Sequence, residues 1–152
     1  MRSTALLLVS LAVVASGHPS AQSAAPAQDW ALVRSVPDQQ GGTLQFVVVP
    51  ARRQRDRVHY ETIANAICGP RAACMVHYWT DRRHVPTSAW MSGPGLSRMT
   101  AQYVRSSGYQ GGLMRLACWL YGSKAEAERD NCFYLPGAKT RWNQAGGATP
   151  RR

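Results

Sequence analysis

Two segments rich in β-branched and aromatic residues, Thr43 to Val49 (TLQFVVV) and Cys74 to Trp79 (CMVHYW), flank a single helical pattern. This triplet constrains the fold more than any other feature, because such residues suit a pleated, buried surface. Between them, Asp56 to Ile67 reads as a helix. Asp56 can cap its amino end, and Val58, Thr62, Ile63, Ala66 and Ile67 share one side at helical spacing. Gly69-Pro70 stops it. Strand, helix, strand is a βαβ unit, whose two strands are expected to run parallel with a right-handed crossover.

The flanking segments extend this unit. Trp30 to Val36 reads as a strand that can form a hairpin with Thr43 to Val49 across the turn-rich Pro37 to Gly42. After an irregular stretch, Pro94 to Ser107 reads as a second helix. Pro94 suits its first turn, Leu96, Met99, Thr100, Tyr103 and Val104 form an apolar stripe, and Gly108 follows as a C-cap. Leu113 to Tyr121 (LMRLACWLY) reads as a third strong strand, and Ala125 to Arg129 as a helical turn. The predicted fold class is α/β. It is a small single domain of β-β-α-β-α-β order, a mixed, mostly parallel sheet with two helices.

The amino terminus has the layout of a secretory signal peptide: Met1-Arg2, then the apolar run Ala5 to Ala15, then small and turn-prone residues. Those eleven residues would span only about 16 Å as a helix, roughly half a bilayer core, so no transmembrane anchor is expected in the mature protein. Cleavage is expected between 17 and 27. The predicted division is 1–27 signal peptide, 28–136 compact domain and 137–152 flexible basic tail. Removing the signal takes Arg2 and no acid, leaving 17 basic residues against 8 acidic ones, a net +9. The short signal and the composition suggest a bacterial chain, exported to the periplasm or the medium.

The four cysteines, Cys68, Cys74, Cys118 and Cys132, agree with export. Three connectivities are possible. Pairing 68 with 74 and 118 with 132 closes two short local loops and is the expected arrangement. Cys132→Ser is then expected to cost more stability than Cys74→Ser. The alternative, a zinc site, lacks the close Cys pairs that most such sites use.

Motifs that carry chemistry are sparse. His77, Asp81 and His84 in HYWTDRRH sit on or after the end of a strand, where ligands of α/β sheets usually bind. Two imidazoles and a carboxylate can hold a divalent metal or share proton transfer. Against this, the spacing of the two histidines matches no standard ligand pattern. His59 and Glu61 are two apart on a helix and do not face each other. There is no G-x-S-x-G, P-loop, G-x-G-x-x-G or H-E-x-x-H, and no cofactor is implied.

The arginines are the other feature: 16 of the 18 basic residues are Arg. Arg52, Arg53, Arg55 and Arg57 run into the first helix, and Arg82 and Arg83 follow the second strong strand. A helix start preceded by four arginines can receive a phosphate, sulfate or carboxylate. Arg115, Trp119 and Tyr121 share one predicted strand face, as do Met75, His77 and Trp79. An open face of this kind can stack on bases or sugars, whereas a parallel strand is normally covered on both sides. The favoured reading is an exported, non-enzymatic binding module whose basic surface meets an anionic envelope component or a protein partner. Two alternatives are a small metal-dependent hydrolase built on His77, Asp81 and His84, and an extracellular polyanion or nucleic-acid binder. The signal peptide argues against a dedicated nucleic-acid partner.

Overall fold

In the computed structural model, which describes residues 28–37, 42–70, 73–87, 95–106 and 111–142, the βαβ unit forms as expected. Strands β2 (Thr43–Val48) and β3 (Cys74–Trp79) lie side by side and parallel, Leu44 opposite Met75 and Val48 opposite Trp79. Helix α1 (Arg57–Cys68) connects them in sequence, and Asp56 caps it by accepting the His59 amide at 3.0 Å. Strand β1 (Ala31–Pro37) pairs antiparallel with β2, with an irregularity in register between Leu32 and Arg34. The signal segment 1–27, most of the expected turn between β1 and β2, and residues 143–152 of the expected tail lie outside the described residues.

The predicted second helix does not form. Leu96–Arg98 makes one 3-10 turn, and Ala101–Arg105 is a strand, β4, antiparallel to β3. Strand β5 (Leu113–Leu116) then pairs antiparallel with β4. The sheet order is β1-β2-β3-β4-β5. Among the described residues the sheet is therefore mixed but mostly antiparallel, with β2–β3 as its only parallel strand pair, and the element order is β-β-α-β-β-β-α. The sequence Ala-Gln-Tyr-Val-Arg satisfies both periods. Its helical stripe is real, but so is its alternation: Ala101 and Tyr103 are buried, and Gln102 and Val104 are half-buried. The second edge of β3 decides between them, since its backbone N–H and C=O groups are satisfied only by another strand.

The third predicted strand is also shorter. It ends at Leu116, and Cys118–Leu120 turns as a 3-10 helix, which breaks the alternation assumed through Tyr121. Helix α2 (Lys124–Arg129) follows, capped by the Ser123 hydroxyl. Among the described residues the second helix is thus α2, and residues 95–106 of the predicted 94–107 helix contain no α-helix.

Helix α1 covers one sheet face, but it is rotated from the expected orientation. Its buried residues are Tyr60, Ile63, Ala64 and Cys68, whereas Val58 is 72% exposed and Thr62 and Ala66 face out. Tyr60 displaces Val58 from the interface because it is larger and its polar tip is satisfied inside. Its ring packs 4.7 Å from that of Tyr78. The Tyr60 hydroxyl donates to Thr100 Oγ1 at 3.1 Å, Thr100 donates to the Tyr78 carbonyl at 2.9 Å, and the Tyr78 hydroxyl donates to the Tyr60 carbonyl at 2.9 Å. Burial pushes the Tyr60 phenol up to about 12 and raises that of Tyr78, so both stay neutral in this core.

Both expected disulfides are present. Cys68–Cys74 ties the last residue of α1 to the first of β3, and Cys118–Cys132 ties the turn after β5 to the segment beyond α2. Phe133 then bridges to Ala117, extending the β5 edge. The second sheet face has its own core of Phe46, Trp79, Val85, Met99, Ala117 and Phe133. Beyond Pro136, Thr140 is buried and Trp142 packs against the α1-side core.

Candidate functional site

Of the three residues expected to form a metal or acid–base site, His77 stands apart. It lies at the centre of β3, wholly buried between Phe46 and Trp79, with ring centroids 6.4 and 6.2 Å away. Its Nε2 is 3.0 Å from the Gln102 side-chain amide. Burial pulls the imidazole down to about 4, so it is neutral at ordinary pH. Asp81 and His84 do approach each other, at 3.9 Å. Asp81, however, is engaged by the Arg83 guanidinium at 2.6 Å and the Arg83 amide at 2.9 Å. These contacts hold its carboxyl at about 2. Among the described residues no group of three His, Cys, Asp or Glu side chains is arranged to hold a metal ion.

The arginine run before α1 is largely tied into the fold. Arg52 and Arg53 reach Asp29 at 3.3 and 3.8 Å, and Arg53 also pairs with the cap Asp56 at 2.7 Å. Arg55 donates to the Leu120 carbonyl. Arg57 donates to the Met114 carbonyl at 2.8 Å and pairs with Glu61 at 3.1 Å. His59 adds a third contact to Asp29, at 3.4 Å. These contacts staple the start of α1 to the residues before β1 and to the end of β5. Arg52 keeps 70% of its side chain exposed, and Arg82 is exposed with no acidic partner among the described residues.

The aromatic faces are not open stacking surfaces. Trp79 is wholly buried and stacks on Phe46 at 5.7 Å, with ring planes 6° apart. Arg115 is drawn to the carbonyls of Asn131 and Cys132, at 3.1 and 3.0 Å. Tyr121 is buried with the α1-side core.

A different place gathers uncommitted charge. Ser97, Arg98, Trp119, Gly137, Ala138 and Lys139 line a cleft of about 350 Å³. Trp119 is fixed there by its indole N–H, which donates to the Met99 carbonyl at 3.0 Å. Arg98 and Lys139 are exposed, and among the described residues neither has an acidic partner. Gly95 holds the adjoining turn against the chain, since a Cβ there would lie 2.2 Å from the His84 carbonyl oxygen. An aromatic ring beside two cations that have no counter-charge is suited to an anionic group carried on an apolar or planar body.

No protein-family model matches the chain, and neither does any curated protein or solved structure.

Sequence reasoning placed Trp119 on an aromatic strand face but missed Arg98 and Lys139, because no motif links positions 20 residues apart. One signal does point to them: residues 82–125 and 131–152, which supply the whole cleft, contain no Asp or Glu.

Proposed function

We propose that the protein is a small exported binding module, without enzymatic activity, that takes an anionic envelope component through the cleft of Arg98, Trp119 and Lys139. The carrying observation is that these two cations share one cleft with an indole and have no acidic partner among the described residues. Arg52, Arg53, Arg55, Arg57, Arg82 and Arg83 broaden the basic surface around the domain and favour long-range attraction of anions. Export rests on the amino-terminal sequence, and the two disulfides suit an oxidising compartment. Among the described residues no helix is long and apolar enough to cross a membrane.

The test uses purified, oxidised protein and short-chain polyphosphate as the anionic probe, over a series of salt concentrations. The paired variant Arg98→Ala/Lys139→Ala is expected to bind about tenfold more weakly, with a shallower salt slope, while Arg52→Ala has a smaller effect. Equal losses from both variants, or none from the pair, would remove the cleft from this reading. Equal affinity for single-stranded oligonucleotides would favour a general extracellular polyanion binder instead.

A further inference from the structure

A second cleft, of about 190 Å³, lies where the arginine run meets α2. Arg55 enters it from before α1 and Arg57 from the first position of α1, Glu126 comes from α2 and Asp130 from its C-cap, and Leu116, Leu120 and Tyr121 complete its wall. Residues 126 and 130 are four apart, so both carboxylates lie on the same helical face. No ion pair within 4.0 Å crosses this cleft. Arg57 is paired with Glu61 outside it, and Arg55 with the Leu120 carbonyl. Glu126 accepts the Gly122 amide at 3.2 Å and Asp130 meets Arg129 at 3.3 Å. Two positive and two negative groups thus line one small space without closing on each other.

We infer that this cleft binds a small dipolar ligand of the free amino acid class, its carboxylate toward Arg55 and Arg57 and its ammonium toward Glu126 and Asp130. A simple anion would gain from the guanidinium groups but be repelled by the carboxylates, and a simple cation the reverse. A ligand bearing both charges a few ångströms apart gains from both. The volume agrees, since it falls below the roughly 300–1,000 Å³ of clefts that hold drug-sized molecules. Tyr121, its phenol raised first by burial and then by the charge of Asp130 and a hydrogen bond to it, sets its hydroxyl against that carboxylate. This site is separate from the Arg98 cleft and does not rest on the function proposed for it.

The experiment is an amide-resolved NMR titration of the oxidised protein with L-alanine, acetate and methylammonium in turn. Alanine is expected to shift resonances of residues 55–57 and 121–130 saturably, with acetate and methylammonium each about tenfold weaker. Asp130→Asn and Glu126→Gln, which keep shape and hydrogen-bonding capacity, are each expected to weaken alanine binding without lowering the melting temperature. Acetate binding as tightly as alanine would overturn the inference in favour of a plain anion site. So would the absence of any saturable shift, or unchanged alanine affinity in both variants. Loss of polyphosphate binding through Arg98 and Lys139 would leave these outcomes unaffected.

Discussion

The imidazole of His77 meets the side-chain amide of Gln102 across the β3–β4 pair, with 3.0 Å between the two nitrogens. The contact is the centre of a row that crosses the whole sheet. Arg34 stands opposite Phe46, Phe46 opposite His77, His77 opposite Gln102, and Gln102 opposite Arg115. The Arg34 guanidinium lies 4.4 Å from the Phe46 ring centroid, and Arg115 ends the row on backbone carbonyls. A strand residue that sequence marks as a ligand candidate is therefore part of a packed transverse layer.

This placement makes the fold sensitive to acid. Burial holds His77 at about 4, below its ordinary 6.5. Between those values the unfolded chain takes up a proton and the folded chain does not. Stability should therefore fall as pH drops from 6.5 to 4, by roughly 3 kcal/mol in all. Asp56 and Asp81 are held below their ordinary 3.8, so their contributions are lost only at lower pH. The melting temperature of His77→Gln should decline less over the 6.5–4 range than that of the wild type. Parallel declines would show that another group carries the effect.

The two disulfides should differ in weight. Sequence separations of 14 for Cys118–Cys132 and 6 for Cys68–Cys74 correspond to about 3 and about 2.4 kcal/mol in the chain-entropy model. Cys132→Ser is accordingly expected to lower the urea midpoint more than Cys74→Ser. The reverse order would mean that the junction of α1 with β3 matters more than loop length.

The cap of α1 is a third point of leverage. Asp56 accepts the His59 amide at 3.0 Å and holds Arg53 at 2.7 Å. Asp56→Ala should cost about 1 kcal/mol, read from urea unfolding, while Asp56→Asn or Asp56→Ser recovers most of it. No recovery by either replacement would show that the Arg53 ion pair, not the cap, is the larger part.

Thr140 offers a stabilising change. It is 2% exposed, and its hydroxyl has no hydrogen-bond partner among the described residues. Valine keeps the shape and removes the buried polar atom, so Thr140→Val should raise stability by about 1 kcal/mol. A lower melting temperature in the variant would count against a dry, unpaired site at that position.

The two clefts were hidden from sequence for a common reason. Arg98, Trp119 and Lys139 meet only because a 3-10 turn, the turn after β5 and the segment beyond α2 converge, and no local period encodes that meeting. Arg55 and Arg57 were visible as a basic run, but their neighbours Glu126 and Asp130 come from a helix about 70 residues later in the chain. The acid-free stretches 82–125 and 131–152 were legible, but they mark a region short of acids and not the meeting of these three side chains.

By itself the amino-acid sequence determined the local elements whose signals are self-contained: the β1–β2 pair, the Asp56-capped helix, the parallel β2–β3 unit and two short-range cysteine pairs. Each depends on residues within a few positions or on a single chiral connection. Tertiary structure decided what a one-dimensional period leaves open. Ala101–Arg105 fits a helix or a strand equally by pattern, and became β4 because β3 had a second edge to satisfy. Tyr60 replaced Val58 in the core because only the packed partners Tyr78 and Thr100 give its ring and hydroxyl a place. Backbone pairing and polar satisfaction are properties of the assembled neighbours, so they appear only once the chain is folded.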